Sequence, residues 1–303
     1  MRRSVHIGFS LLTVLVLLIA TAGTSSAHQD GMHILKIKAA KGGKPHGTNN
    51  LISHGGAIEQ TAKVYIVYWG SDWGANTAAR SYIEGFFNGV GGSGWANSTT
   101  QYCQGVPSGT VQCGTAGLHP TNPKNELNGG VWNDTSAVPN SPTQSQISAE
   151  ASALAAHFGG VDVQADYMVF TPSGHSMNGF QTTWCAWHSS SGSMSYSYMP
   201  YQPDAAGSCG QNFVNSNNNA FGNGYFDGFS IVGGHEYAET VTDPYPNSGW
   251  LDGRGAENGD KCAWIASGQG AASNIGLGGH NFAVQSLWSN AFNSGSGGCV
   301  LSY

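Results

Sequence analysis

The spacing of apolar residues predicts a chain in which strands and helices alternate. Residues 63–70 form a continuous run of β-branched and aromatic side chains, which predicts a buried strand. A helix that begins with Thr77 as its cap and ends near Val90 follows, because its apolar residues recur at the spacing of one helix face. The residues on that face are Ile83, Phe86, Phe87 and Val90.

The second half of the chain predicts two further helices and more strands. One helix runs from about Thr143 to Phe158, and Gly159 ends it. Another runs from about Ile231 to Thr242, after Ser230 as a cap and before Pro244. Strands are predicted at 166–171, 182–187, 195–199 and 281–288. The mixture predicts one α/β or α+β domain with a mixed central sheet and packed helices.

Glycine and cysteine predict long loops that are held by disulfides. The chain has 45 glycines, and residues 91–142 are rich in Gly, Ser, Asn and Pro. Six cysteines allow fifteen pairings. Because short loops close most readily, the order of the sequence favours Cys103–Cys113, Cys185–Cys209 and Cys262–Cys299. We therefore expect a disulfide-stapled, loop-rich fold.

The N-terminus predicts secretion. A basic start, an apolar run and small residues up to Ala27 are typical of a signal peptide over 1–27, although a retained membrane anchor is the alternative. Residues 28–50 are polar and basic, without a hydrophobic period, and we interpret them as a flexible leader or pro-segment. The folded domain is predicted over 51–303, as an extracellular protein with no membrane contact after signal cleavage.

The charge of the chain excludes one class of partner. Two of the 11 basic residues belong to the signal, so the predicted mature chain has 9 basic against 17 acidic residues. No basic patch is present to neutralise phosphates, and we predict no nucleic-acid partner.

The helix predicted over 231–242 carries the chemistry. His235, Glu236 and Glu239 form an HExxE pattern, a variant of the HExxH helix of zinc peptidases. His235 and Glu239 are one turn apart and share a face, so both can bind one zinc ion. Glu236 can then act as general base toward water whose pKa the metal lowers. We expect a zincin-like active-site helix, and a close approach of another chain segment at Gly233 and Gly234.

Acidic residues downstream supply candidates for the remaining ligands. Glu257 is our choice for the third ligand, and Asp260 is either a ligand or a partner that orients His235. Asp243 is a further candidate. Calcium is the alternative metal, because Asp252, Glu257 and Asp260 lie in a Gly-rich stretch of oxygen donors. His188 follows a cysteine-bearing aromatic segment, and we interpret it as structural.

These motifs resemble a known family. HEYAETVTDP at 235–244, followed by Gly249-Trp-Leu-Asp252 and Glu257-Asn-Gly-Asp-Lys-Cys262, is similar to the HELAE…W…EIGDLC region of the exordium-like, or phosphate-induced, secreted proteins. His54-Gly-Gly-Ala and the strand that ends at Gly70 resemble that family's opening. The resemblance implies a metal-like motif at His235, Glu236, Glu239, Glu257 and Asp260.

The same resemblance also bears on function. The family's best-known members are plant apoplastic proteins linked to cell expansion and growth signalling. Thr242-Asp-Pro stands where plant members tend to have Asn-Pro, which favours a microbial relative.

The sequence thus predicts a secreted zinc metallohydrolase that acts on a peptide or protein substrate. The alternative is a non-catalytic extracellular binding or signalling protein with a structural metal ion. Aromatic residues add a third hypothesis, binding to cell-wall polysaccharide.

Overall fold

The structure is a computed structural model that describes residues 32–38, 49–124, 128–216 and 224–303. The predicted signal peptide at 1–27 lies outside these residues, as does most of the predicted leader. No helix of the described residues is long and apolar enough to cross a bilayer.

The described elements alternate along the chain as the sequence predicts. The helices are α1 (Thr77–Gly89), α2 (Gln144–His157), α3 (Asp227–Thr242) and the four-residue α4 (Phe292–Gly295). The strands are β1 (His33–Lys36), β2 (Ile52–Ser53), β3 (Lys63–Trp69), β4 (Asn128–Asp134), β5 (Ala165–Phe170), β6 (Trp184–Ser191), β7 (Met194–Met199), β8 (Trp250–Leu251), β9 (Ser273–Leu277), β10 (His280–Val284), β11 (Leu287–Ser289) and β12 (Gly298–Val300). Short 3₁₀ helices lie at Ser71–Ala75, Ala96–Gln101, Gln202–Cys209, Gly224–Phe226 and Asp260–Cys262.

A mixed sheet forms the centre of the described fold. Its six strands have the order β1-β6-β7-β5-β3-β4. The neighbours β7, β5, β3 and β4 are parallel, whereas β6 is antiparallel to β7 and β1 is antiparallel to β6. All six residues of β5 are buried, as expected for a central strand with both faces covered. The predicted mixed α/β fold is confirmed.

Helices α2 and α3 cover opposite faces of this sheet. Tyr65 of β3 packs on Phe158 at the end of α2, with ring centroids 4.9 Å apart. Phe170 of β5 lies on the other face and contacts Phe229 of α3. Side chains three residues apart on a strand, such as Tyr167 and Phe170, point to opposite faces. The sheet therefore separates α2 from the α3 side, where the polar cluster described below is found.

The three disulfides join the cysteines as predicted, Cys103–Cys113, Cys185–Cys209 and Cys262–Cys299. Cys185–Cys209 ties β6 to the end of a 3₁₀ helix. Cys262–Cys299 connects the 3₁₀ helix at Asp260–Cys262 with β12. Both bridges brace segments that surround α3.

Three predictions require correction. The leader predicted as flexible over 28–50 contains β1, which pairs with β6 at the edge of the sheet. The loop predicted over 91–142 contains β4, which extends the sheet on its other side. Helix α3 begins at Asp227, and Ser230 is not its cap. Instead, the Ser230 hydroxyl donates to the Ala283 carbonyl at 2.6 Å, inside the helix–β10 contact.

Candidate functional site

Helix α3 is buried on every side, which explains why it can hold charged residues away from water. All sixteen of its residues are buried. Contacts with the rest of the described fold therefore surround the helix on all of its faces. A Cβ added to Gly234 would lie 3.1 Å from both Phe86 and Trp95, so the predicted close approach at this glycine is confirmed.

His235 and Glu239 form the first pair of the site. The Nε2 atom of His235 lies 3.0 Å from Oε1 of Glu239, as the i, i+4 spacing predicts. The backbone N–H of Asp260 donates to the same Glu239 oxygen at 2.9 Å. Asp260 Oδ1 lies 3.9 Å from His235 Nε2. The loop after Glu257 thus returns to the helix at the predicted position.

Gln285 orients the imidazole of His235. Its amide Nε2 donates to the Gly259 carbonyl at 2.7 Å, which fixes the amide so that Oε1 faces His235 Nδ1 at 3.2 Å. Since an amide oxygen only accepts, Nδ1 must carry a proton, and Nε2 is the atom directed at Glu239. This is the arrangement that prepares a histidine to bind a cation through Nε2.

Two histidines from the sheet join this pair. His188 of β6 and His33 of β1 are partners in the antiparallel register, and their rings stack with centroids 5.5 Å apart. His188 Nδ1 lies 3.2 Å from Glu236 Oε2 and 3.6 Å from Glu239 Oε2. On its other side, His188 Nε2 lies 3.6 Å from Glu257 Oε2. His188, which the sequence analysis interpreted as structural, contacts three of the predicted site residues.

His33 completes a closed arrangement. Its Nδ1 lies 3.4 Å from Glu257 Oε2, and its Nε2 lies 2.6 Å from Asp260 Oδ2. The contacts then alternate between imidazole and carboxylate, and they return to the starting residue. We call this set the His–carboxylate ring; its members, in order, are His235, Glu239, His188, Glu257, His33 and Asp260. Glu236 contacts the ring through His188.

Several atoms of this cluster are buried without a hydrogen-bond partner. Among the described residues they include Nε2 of His188 and His235, Oε1 of Glu236, Oε2 of Glu239 and both carboxylate oxygens of Glu257. Polar atoms buried in this way cost free energy unless something satisfies them. Their concentration at one point favours a cation as the missing partner.

Burial and neighbouring charges shift the pKa values of the carboxyl groups in this cluster. Burial raises the pKa of Glu236 and of Glu257 well above the ordinary value, and the neighbouring Glu239 raises both further. Burial would raise the pKa of Glu239 as well, but contact with His235 brings it below the usual range. Positive charge must therefore be supplied before all three carboxylates can be ionised together.

The pKa values of the three imidazoles are shifted in two different directions. Burial lowers the pKa of His188 to about 3, against the opposing effect of Glu239. Burial acts in the same direction on His33, but the hydrogen bond to Asp260 raises its pKa to about 9. The pKa of His235 is also raised, because Glu239 outweighs burial. His188 is therefore a neutral donor, and His33 and His235 supply the positive charge in the absence of a metal.

The structure brings together His235, Glu236, Glu239, Glu257 and Asp260, the residues that the sequence analysis chose. Asp243 lies beside the cluster, because its carboxyl interacts with Glu257, and it also accepts hydrogen bonds from the backbone N–H groups of residues 247–249, which closes the turn after α3. Asp252 binds the buried Lys261 ammonium at 2.8 Å. Asp252, one of the oxygen donors named for the calcium alternative, is therefore already paired with a cation of the protein itself.

His33 and His188 were not predicted as site residues, for different reasons. The apolar residues Met32, Ile34 and Leu35 flank His33 and give only a weak strand signal. The basic residues of the leader obscured this signal. His188 falls on a strand that was predicted to end at Trp187. A predicted strand that was longer by one residue would have included His188.

Comparisons with protein-family models, with curated proteins and with solved structures find no match. The site is therefore interpreted from its own geometry, and the resemblance to the exordium-like family stays a prediction from its motifs.

Proposed function

We propose that this protein is a secreted zinc-dependent hydrolase of peptide bonds. The observation that carries the proposal is the His–carboxylate ring, with its unpartnered donor atoms buried around His188, His235, Glu239 and Glu257. Two groups of residues in this cluster offer three donor atoms within 4.8 Å of one another: His188 with Glu236 and Glu239, and His33 with Glu239 and Asp260.

The chemistry of the donors favours zinc. Imidazole nitrogen and carboxylate oxygen are both zinc ligands, whereas calcium takes oxygen ligands and gains nothing from three histidines. His235 and Glu239 would hold the ion from α3, and the third ligand would be His188 of β6 or Glu257 or Asp260 of the loop. Bound zinc would supply a Lewis acid and lower the pKa of water to about 7.

Glu236 is placed to move a proton. It follows His235 on the same helix, and its Oε2 lies at His188 Nδ1. Its Oε1 is buried and has no hydrogen-bond partner among the described residues, so one acceptor is left unused. An acceptor held beside the ligands, without being needed for the His235–Glu239 pair, fits the role of general base.

Two other observations support secretion and a stable extracellular domain. All six cysteines are paired, and stable disulfides are characteristic of oxidising compartments. The signal peptide predicted at 1–27 agrees with this compartment.

The test combines metal content with hydrolysis. The purified protein should contain about one zinc per chain by inductively coupled plasma mass spectrometry, and His235→Ala should lose it. Glu236→Gln should keep zinc and lose about 10²–10⁴-fold in hydrolysis of a peptide library. His54→Ala, at an exposed histidine, is the matched control and should change neither quantity.

Two results would decide against the proposal. Full hydrolytic activity in a zinc-loaded Glu236→Gln variant would remove the general base. If wild type binds zinc but neither wild type nor any variant hydrolyses peptides, the result would favour the structural ion of a binding protein.

A further inference from the structure

Strand β1 covers the candidate site from the outside. It is an edge strand of the described sheet and pairs only with β6 there. Its removal would leave the order β6-β7-β5-β3-β4 intact. Its His33 is paired with His188 although the two residues are far apart in the sequence. The strand that closes the site is therefore an edge strand, and its loss would leave the pairing of the other five strands in place.

The contacts of residues 32–38 are those of an extended peptide bound to a sheet edge. The backbone pairs with β6 from His33 to Lys36. Beyond the strand, the Lys38 N–H donates to the Ser208 carbonyl at 2.9 Å, and Trp264 Nε1 donates to the Lys36 carbonyl at 2.8 Å. Peptides recognised by strand addition bind in this way, since main-chain hydrogen bonds give affinity and pockets take alternate side chains.

Two side chains anchor this segment. Leu35 is 1% exposed and belongs to the main hydrophobic core. His33, two residues earlier and on the same face of the strand, reaches the His–carboxylate ring. One apolar anchor and one imidazole at the ring therefore hold the segment in register.

A groove lies along the same strand. It has a volume of about 500 Å³, and its walls include His33, Leu35, Asp252, Asp260 and Trp264. The groove runs beside the segment up to the ring, so an extended peptide in place of β1 would have room for larger side chains next to the site.

We propose that residues 32–38 are an autoinhibitory segment, which occupies the edge of β6 where an extended peptide substrate binds. His33 closes the ring with a protein side chain. A catalytic zinc site needs an open position, so the site becomes competent only when β1 leaves β6. The inference rests on the proposed hydrolase function, and it identifies the substrate as a peptide in strand conformation, antiparallel to β6.

The experiment displaces β1 in the full-length protein by two independent substitutions. Leu35→Asp removes the apolar anchor, and His33→Ala removes the imidazole that holds the strand at Glu257 and Asp260. If the open form is populated at about 1–10% in wild type, both variants should increase kcat/KM on a peptide library by about 10–100-fold. His54→Ala, at an exposed histidine outside the segment, is the control and should leave kcat/KM unchanged.

A second measurement does not depend on catalysis. A fluorescein-labelled synthetic peptide with the sequence of residues 32–38 should bind Leu35→Asp and inhibit it, and it should not bind wild type, whose edge is filled. The same peptide with Asp in place of Leu35 should bind neither wild type nor Leu35→Asp. Anisotropy gives the affinity, and circular dichroism verifies that both variants are folded.

The outcomes separate this inference from the proposed function. Equal hydrolysis by wild type, His33→Ala and Leu35→Asp, with no inhibition by the peptide, would overturn autoinhibition and leave the hydrolase intact. Specific peptide binding to a zinc-loaded Leu35→Asp variant without any hydrolysis would keep the β6 edge as a peptide site and overturn the hydrolase instead.

Discussion

At the scale of single residues, Gly259 is the position on which the geometry of the site depends most directly. A Cβ at this position would lie 2.6 Å from Nδ1 of His235 and 3.0 Å from Oε1 of Glu239. Both groups are packed on all sides, so neither can move without disturbing the ring.

We therefore expect Gly259→Ala to lower zinc affinity by at least tenfold, because it separates His235 from Glu239 and Gln285. A chelator competition titration measures the affinity. Gly253→Ala is the control, because a Cβ there meets nothing within 4 Å. Equal affinities in the two variants would contradict this account.

Asp166 of β5 is a buried acid that is not a member of the ring, and it makes stability depend on pH. Burial raises its pKa to about 7, although the Ser197 hydroxyl donates to it at 2.7 Å. The folded protein therefore holds a proton that the unfolded chain releases above about pH 4, so this group lowers stability as pH rises from about 4 to 7.

We expect Asp166→Asn to be more stable than wild type at pH 8, by up to about 4 kcal/mol, and to differ little at pH 4. Urea unfolding at the two pH values measures this difference. Ser197→Ala removes a hydrogen bond that favours the ionised form and should make the loss of stability with pH steeper. Parallel pH profiles for wild type and Asp166→Asn would show that Asp166 is ionised in the fold.

At the scale of elements, local signals were sufficient wherever they were strong. The dense β-branched run of β3 and the i, i+3, i+4 face of α1 lie where the sequence predicts them. The HExxE spacing also placed His235 and Glu239 on one face of a helix, which depends only on helix geometry.

The remaining part of the site could not be predicted because it depends on pairing between distant segments. His33 and His188 meet through the register of β1 on β6, which no local pattern specifies. Similarly, Ser230 looked like a cap in the sequence, but its hydroxyl is used by a carbonyl of β10. Tertiary contacts decided these roles.

Helix α2 offers a prediction that involves only local structure. Thr143 Oγ1 accepts from the Gln146 N–H at 3.3 Å, and Gln146 Oε1 accepts from the Thr143 N–H at 2.9 Å, which forms a capping box. Thr143→Ala should lower the free energy of unfolding by about 1 kcal/mol without changing zinc content. Ser152→Ala, in the exposed middle of the same helix, should be nearly neutral. Thermal unfolding that ranks the two variants in the opposite order would refute the capping role.

At the scale of the whole molecule, the disulfides differ in what they support. Cys262–Cys299 closes a loop of 37 residues and begins two residues after Asp260. Cys103–Cys113 closes a loop of 10 residues, and this loop contains no member of the ring. Loop entropy alone predicts a loss of about 4 kcal/mol and about 3 kcal/mol when each bridge is removed.

We expect the Cys262→Ser, Cys299→Ser double variant to lose zinc affinity in addition to stability, because the segment that carries Glu257 and Asp260 is released. The Cys103→Ser, Cys113→Ser variant should lose stability only. Zinc titration and calorimetry on both variants separate the two effects. A similar zinc affinity in both would mean that contacts with α3 hold the loop without its bridge.

The pairing of the cysteines in chain order has a consequence for biosynthesis. No bridge encloses or crosses another, so each cysteine finds its partner as the next cysteine to leave the ribosome. Oxidation that simply follows the direction of synthesis gives the native connectivity out of the fifteen available. An export pathway that oxidises cysteines consecutively therefore needs no isomerase to reshuffle this chain.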